Sequence, residues 1–381
     1  MTLNYTAACL FGLEGMVGRE IDDLGYKRTE TLDGRVYFEG DESAAARFNI
    51  GSRFAERLYL VLGRFDAPSF DALFEGTKAL CWENYIGRDD AFPVKGHSIK
   101  SALFSIPDCQ KIVKKAVVER LKSRYHLERF PETGKKYQIE FFILNDSAAL
   151  MLDLSGEPLH KRGYRKEGGM APLRETTAAA IASLARPRED VLFRDPFCGS
   201  GTIAIEAALM MTGTAPGLNR RFAAESWPFF GKELFARARE EAKAAIKKDT
   251  AFECHASDID PDCIELAKEN IKRAGVSDIV KPFVMDALKI ETGGRRGTIV
   301  CNPPYGERLL TEERTRELYR NMGKHFATLG SWQIYILTSC EEFESYYGRR
   351  ADKVRPVWNG MLKCGYYQYF KNQGIKNTET R

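Results

Sequence analysis

The sequence predicts an α/β protein. Its C-terminal half reads as a doubly wound, mainly parallel Rossmann-like sheet, preceded by a small ferredoxin-like module and a second small domain. Three observations predict it. From about residue 190 to residue 340, short apolar runs alternate with amphipathic helical segments, the pattern of strands covered by helices on both faces. One such run, Val191-Leu-Phe193, leads into the Gly-bearing turn Asp195-Pro-Phe-Cys-Gly-Ser-Gly-Thr202, which opens the Ala-rich segment 203–210. The first sixty or so residues alternate β-α-β-α-β, which fits helices laid on one face of a small sheet.

Length and composition bound the answer. A chain of 381 residues is long enough for two or three domains, and 44% hydrophobic with 29% charged residues is ordinary for a globular protein. No apolar run approaches the eighteen residues of a membrane span, and Met1-Thr-Leu-Asn-Tyr5 lacks the basic and apolar regions of a signal peptide. A cytoplasmic location with no membrane partner is expected. Nine cysteines with no Cys-x-x-Cys pair and no clustered histidines argue against a disulfide framework and against a metal site. A net charge of +4 is too small to name a nucleic-acid partner, so the distribution of charge has to be read instead.

In chain order, the run 7–11 reads as a strand, 14–24 as a helix stopped by Gly25, 35–38 as a strand, 42–51 as a helix and 57–62 as a strand, giving a first domain over 1–64. The next unit, 65–160, has a helix over 70–85, a strand near 92–94 and an amphipathic helix from Pro107 to about His126. The runs 138–144 and 148–153 then form a hairpin about Asn145-Asp146. Between Lys95 and Lys136 there are eleven Lys or Arg against four Asp or Glu. Lys111, Lys114, Lys115, Arg120, Lys122 and Arg124 are either a solvated helix face or a surface that neutralises phosphates without reading sequence. The polar link 160–169 marks the boundary of a third domain, 161–381.

That third domain opens with a helix beginning in Ala171-Pro-Leu-Arg-Glu-Thr176. It continues with a strand to Asp195, a helix from Thr202, and an insertion, 213–231, with a charged helix to about Lys248. Strand 252–257 follows with Asp258-Ile-Asp260 at its tip, then a helix to Ala274 and strand 279–285 ending at Asp286. Strand 298–301 ends at Asn302-Pro-Pro-Tyr-Gly306; a helix over 312–329, strand 332–338 and a hairpin about Asn359-Gly360 complete the chain. The tail from Lys371 is polar and expected to be disordered.

Ligands of such sheets bind outside the carboxyl ends of the strands, so the motifs at 195–202 and 302–305 can converge on one crevice. The first is not a dinucleotide fingerprint: the third glycine is missing, and Asp195 stands where the first belongs. Gly199 and Gly201 let the backbone approach a ligand at the helix N-terminus, which attracts anions, while a carboxylate at the strand tip suits a cationic group. S-adenosylmethionine carries an ammonium, a sulfonium and a carboxylate; alternatively Asp195 only caps a Gly-rich turn.

Taken together, the two motifs resemble those of class I S-adenosylmethionine-dependent methyltransferases acting on exocyclic or amide nitrogens. With Gly12-Leu-Glu-Gly-Met16, Arg162-Gly-Tyr-Arg165 and Ala171-Pro-Leu-Arg-Glu-Thr176, the chain resembles from end to end the THUMP-domain RNA methyltransferases of the bacterial 23S rRNA guanine-N2 type. The resemblance makes 65–160 the RNA-binding THUMP domain and 161–381 the class I methyltransferase domain. It implies S-adenosyl-L-methionine as cofactor, held by Asp195, Phe197, Gly199, Ser200, Gly201, Thr202 and Asn302. Asp258 would take the ribose, Ile259 the adenine face and Asp286 the adenine amino group, with Asp260 as a helix cap; Asp286 as a cap is the other reading. Thr176 would meet the methionine end or else belong merely to the first helical turn. Since relatives that carry a second methyltransferase domain are longer, a single activity is expected.

The guanine N2 amine is a poor nucleophile because its lone pair is delocalised into the ring. Acceptors on its hydrogens, the Asn302 side-chain oxygen and the Pro303 carbonyl, would turn and localise it. Tyr305 would stack on the extracted base, and Arg308 would meet a phosphate or pair with Glu307. The same four-residue signature serves DNA adenine-N6 and glutamine-N5 enzymes. A tRNA guanine-N2 enzyme, or a non-catalytic RNA-binding protein with a relic fold, are the alternatives, the latter opposed by an intact residue set. The partner expected is RNA, 23S rRNA before tRNA.

Overall fold

The computed structural model describes residues 2–165, 173–305, 311–360 and 362–370. They fall into two units. The first holds the chain through Cys9, Val17–Leu159 and Arg220–Glu241; the second holds Leu10–Met16, His160–Asn219 and the chain from Ala242.

Through the N-terminal part the order is β1 (Leu3–Cys9), α1 (Glu14–Asp23), β2 (Lys27–Leu32), β3 (Arg35–Gly40), α2 (Ser43–Gly51), β4 (Ala55–Asp66), α3 (Phe70–Ala79), β5 (Val94–Ile99), α4 (Ile106–Tyr125), β6 (Ile139–Leu144) and β7 (Ser147–Asp153). All seven strands join one sheet in the order β2-β3-β1-β4-β7-β6-β5. The long strand β4 pairs with β1 on one side and β7 on the other, so it runs across residues 64–65 and knits the two modules together. Opposed residues of antiparallel strands point to one face. Thus Tyr5, Phe38, Leu60, Leu152 and Ile139 share the buried side, each at most 4% exposed.

Three details differ from the sequence reading. Strand β2 was unanticipated: Lys-Arg-Thr-Glu-Thr-Leu carries almost no apolar signal because it is a sheet edge, and a register shift between Arg28 and Glu30 breaks its alternation. The helix expected to reach residue 85 stops at Ala79. There the fully buried Trp82 folds back, its indole N–H donating to the Thr77 carbonyl at 2.7 Å. Residues 220–241, read from sequence as part of the catalytic fold, group with the first unit. Trp227 stacks on Tyr137 with centroids 4.4 Å apart and donates to the Lys136 carbonyl, while Arg47 holds Glu241 by two hydrogen bonds of 2.9 and 3.1 Å. The Asn145-Asp146 turn is as expected, with φ of +50° and +61°.

The remaining elements are α5 (Glu175–Leu184), β8 (Leu192–Asp195), α6 (Thr202–Met211), α7 (Lys232–Ala244), β9 (Cys254–Asp258), α8 (Pro261–Ala274), β10 (Val280–Val284), β11 (Gly297–Cys301), α9 (Glu312–Ala327), β12 (Gln333–Thr338), α10 (Phe343–Tyr347), β13 (Lys353–Asn359) and β14 (Leu362–Tyr369). Their sheet runs β10-β9-β8-β11-β12-β14-β13; the first five strands are parallel, and β14 enters antiparallel between β12 and β13. Alternation divides the side chains between two cores. Phe193, Val300, Tyr335 and Leu337 meet Ile181, Ile205 and Ile264 on one face; Leu192, Ile299, Ile334 and Ile336 meet Tyr319, Phe326 and Phe343 on the other. The chain leaves β8 toward β9 and β10, then returns to β11 and β12 on its other side. The crevice of this sheet therefore opens between the carboxyl ends of β8 and β11.

Candidate active site at the carboxyl ends of the central strands

Asp195 ends β8 and Asn302 follows β11 directly, and the two strands are adjacent. Asp195 is fully buried; its Oδ1 accepts the Phe197 amide at 3.3 Å, and its Oδ2 has no hydrogen-bond partner. Burial, with the Asp258 charge adding to it, holds this carboxyl well above the usual carboxylate range. An unsatisfied buried carboxylate oxygen is costly, and it fits a site that receives a cation. Asn302 Oδ1 is likewise buried without a partner.

Between these two atoms' strands and β9 lies the glycine loop. Gly199 and Gly201 adopt φ of +50° and +82°, which side-chain-bearing residues rarely do, and Gly201 passes the Ala267 methyl so closely that a Cβ would lie 3.3 Å from it. The Gly199 amide donates to Asp258 Oδ2 at 3.0 Å, and the Asp260 amide to Asp258 Oδ1 at 3.1 Å. Each carboxylate oxygen keeps a further lone-pair direction. Ile259 beside it is 70% exposed, an apolar side chain presented at the strand tip. Asp260 accepts from the Asp262 amide at the head of α8, the cap expected of it. Asp286 also caps: its Oδ1 accepts the Leu288 amide at 2.9 Å, which is the second of the two roles open in the sequence. Ser200 Oγ lies 3.0 Å from Thr202 Oγ1, Phe197 is half-buried against the second core, and Thr176 is fully buried in the first turns of α5.

Beyond Asn302, the loop is anchored from behind, where the Tyr319 hydroxyl donates to the Pro304 carbonyl at 3.1 Å and holds Thr338 at 2.9 Å. Tyr305, expected from the resemblance to stack on the base, is half-buried. Its ring packs against the first core, its hydroxyl meets the Asn359, Cys364 and Asn302 side chains, and burial pushes the phenol up to about 12. Gly306–Leu310, and with them Glu307 and Arg308, lie outside the described residues, as do positions 166–172 and the tail.

Several supporting residues were not legible as such. Asn270, fully buried on the apolar face of α8, donates to the Ser200 carbonyl at 3.0 Å; a lone polar residue on that face is the signal that marks it. Glu206 on α6 holds Tyr164 at 3.0 Å and Arg162 at 3.5 Å, and Arg165 donates to Thr202 Oγ1 at 2.6 Å. Arg162 and Arg165 had been read as part of a polar link. In the first unit, the lysine-rich α4 is largely neutralised by its own neighbours. Lys111 pairs with Asp108, Lys114 with Glu132, Arg120 with Glu83 and Lys122 with Glu119. Among the described residues of the basic stretch, Lys95, Lys100, Lys115, Arg124, Arg129, Lys135 and Lys136 form no ion pair.

A parallel sheet whose switch point joins a buried strand-tip carboxylate, a glycine loop and an Asn-Pro-Pro-Tyr turn defines a class I S-adenosylmethionine-dependent methyltransferase. The chain belongs to the RMKL-like methyltransferase domain family, which matches residues 162–368; the RlmL ferredoxin-like domain matches 4–59 and the THUMP domain 67–153. It is 46% identical over 96% of its length to the Bacillus subtilis (strain 168) protein named "Putative RNA methyltransferase YpsC", covering 95% of that protein. Among solved structures, it is 45% identical to one from Listeria monocytogenes described as a "predicted N6-adenine-specific DNA methylase", with a TM-score of 0.92 and 97% of each chain covered. It is also 41% identical to SMU.472, described as "a putative methyltransferase complexed with SAH", S-adenosylhomocysteine, with a TM-score of 0.91 and 97% and 98% of the two chains covered. S-adenosylmethionine is the methyl donor.

Proposed function

We propose that this protein methylates the exocyclic N2 of a guanine in RNA, with 23S rRNA as the substrate. The observation that carries the reading is the buried, unpartnered Asn302 Oδ1 at the tip of β11, beside the strand that bears Asp195. An amide oxygen left without a donor in a folded interior is waiting for one, and an amino group on a planar base supplies it. When bound, the cofactor supplies an electrophilic methyl on a sulfonium leaving group. The chain's own residues position the reactants: Asp195 receives the ammonium, Asp258 the ribose and Ile259 the adenine face. Asn302 Oδ1, with the Pro303 carbonyl, draws on the amino hydrogens and directs the nitrogen lone pair at the methyl carbon. The proline pair and the Tyr319 hydrogen bond fix the loop against recoil.

RNA is preferred over DNA because the ferredoxin-like and THUMP modules precede the catalytic unit, and because the B. subtilis relative is named for RNA. The Asn-Pro-Pro-Tyr turn alone does not make that choice. Asn302→Ala is expected to bind S-adenosylhomocysteine as the natural protein does while losing turnover by about a hundredfold or more, the scale of removing one positioned polar group from a transition state. Retained turnover would remove Asn302 from the reaction. Nucleoside mass spectrometry of ribosomal and transfer RNA from a strain lacking the protein identifies the target. Loss of N2-methylguanosine from 23S rRNA is expected, its loss from tRNA alone would move the substrate, and loss of a methyladenosine would overturn the base assignment.

A further inference from the structure

Leu10–Met16 belongs to the catalytic unit, although β1 before it belongs to the first. Gly12 sets the course of this turn. Its φ is +87°, and a Cβ there would lie 3.3 Å from the Pro356 carbonyl oxygen, so the chain passes close against β13 where glycine is favoured. The turn thereby carries Phe11 onto Trp358, with ring centroids 6.0 Å apart and planes at 66°, an edge-to-face pair. Neither ring is sealed in. Phe11 is 50% exposed and Trp358 is half-buried, whereas the other three of the four tryptophans are at most 1% exposed.

The pair stands at the edge of the sheet that bears Asp195 and Asn302. Strand β14 runs antiparallel to β12, and β13 antiparallel to β14, so β13 ends at the carboxyl edge of the parallel strands. Asn359, directly after Trp358, has its side chain beside the Tyr305 hydroxyl, and the Trp358 carbonyl accepts from Thr177 Oγ1 at 3.3 Å, which ties the strand end to α5. Along β13, Val354, Pro356 and Trp358 alternate onto one face, and none of them is buried. Lys363, exposed, is opposite Trp358 in the register and so rises from the same face. Arg174 brings a second cation, its Nη2 3.9 Å from where a Cβ on Gly360 would stand. The acid of the Phe11 turn, Glu14, accepts the Gly12 amide at 2.9 Å. Aromatic rings with cations beside them suit an unpaired RNA base and its phosphate, and the two cations favour RNA over an apolar protein surface.

We propose that Phe11 and Trp358 form a stacking platform for an unpaired base next to the nucleotide being methylated, with Lys363 and Arg174 at its phosphate. This rests on RNA as the substrate and not on which base reacts. The experiment titrates the full chain with an oligoadenylate decamer and with an abasic ribose-phosphate decamer, following tryptophan emission. Oligoadenylate should quench it and the abasic chain should not. Trp358→Phe should abolish the quench, since the other tryptophans are buried. Phe11→Ala should weaken binding of oligoadenylate, and of 23S rRNA retained on filters, by about fivefold or more, with Phe11→Tyr restoring it and the affinity for S-adenosylhomocysteine unaltered in both. Emission untouched by oligoadenylate, a quench that persists in Trp358→Phe, or a Phe11→Ala chain that binds both RNAs as the natural protein does would overturn the platform. So would an emission shift that follows protein concentration alone, which gives the surface to a second copy of the chain. Filter retention of 23S rRNA and tRNA separates this from the substrate reading: RNA held with emission unchanged overturns the platform alone, and no RNA held overturns both.

Discussion

Replacing Asp195 by Asn should make the ligand-free protein more stable at neutral pH and its cofactor site worse, and the two effects have separate physical origins. The carboxyl is fully buried, one oxygen holds only a 3.3 Å amide contact, and the other holds nothing. Its proton affinity in the folded protein is raised well above the ordinary value by desolvation. The sign follows from linkage. A group that binds its proton more tightly folded than unfolded makes stability fall as pH rises from the unfolded value upward, and the full cost is present above the folded value. The substituted amide cannot ionise, so the difference in Tm between variant and natural protein should be near zero in mild acid and grow in favour of the variant with rising pH. Binding moves the other way. A charged hydrogen bond to the cofactor ammonium is lost, and an amide N–H is set against it, for about 1.5–3 kcal/mol. That corresponds to roughly 10- to 150-fold in Kd for S-adenosylhomocysteine. Thermal scans across pH without ligand, and titration calorimetry with it, read both quantities on one preparation. A variant that melts lower than the natural protein at neutral pH, or binds S-adenosylhomocysteine equally well, would refute the reasoning.

Two further outcomes follow from the packing. In α9, a Cβ at Gly323 would lie 1.9 Å from the Tyr347 carbonyl oxygen, so Gly323→Ala should destabilise by on the order of 1–3 kcal/mol or more, although the same change in an open helix stabilises by about 1 kcal/mol; a lower urea midpoint with unchanged m-value checks the sign. In the first sheet, burial raises Glu140 to about 7 against the opposing pull of Arg35, Arg57 and Lys95, with Asp153 adding to it and His97 3.7 Å away. Its ionisation should erode stability as pH climbs from about 4.5 through 7, by about 3 kcal/mol in all, and Glu140→Gln should flatten that part of the profile.

The catalytic sheet could be read closely because its signals are local. Each buried strand is an apolar run that ends at a polar tip, and the tips bear Asp195, Asp258 and Asn302, the residues proposed for the site. What sequence did not reveal depends on partners far along the chain. Strand β2 has no apolar face to betray it, and the short helix α10 is held by Phe343 and Tyr347 against Tyr319 and Tyr369 rather than by its own pattern. Trp227 reads as part of the insertion 213–231; Tyr137 and Lys136, some ninety residues earlier, are what it packs against. The lysines of α4 read as a basic face because their acids, Glu83 and Glu132, stand on other segments. Tyr305 reads in sequence only as an aromatic residue in a loop; that the Asn359 and Cys364 side chains of the terminal hairpin lie beside its hydroxyl depends on residues more than fifty positions on.

That last contact bears on how the site works. In the proposed reaction Asn302 offers an acceptor to the incoming base, and its side chain, with those of Asn359 and Cys364 of the β13–β14 hairpin, lies beside the Tyr305 hydroxyl. The Asn302 amide has two ends: nitrogen donors for the phenol, and the oxygen, which stays free. Seated inward, a Tyr305 hydroxyl that accepts from the Asn302 amide nitrogen would keep the amide oxygen toward the substrate and oppose the flip that presents donors to an amino group. In the proposed reaction the tyrosine would then contribute to methyl transfer by orienting its neighbour, apart from any stacking on the base. Tyr305→Phe, which keeps the ring and loses the hydroxyl, separates the two roles: a lowered kcat with unaltered affinity for RNA is expected from orientation, whereas an unchanged kcat would leave stacking as the ring's sole contribution.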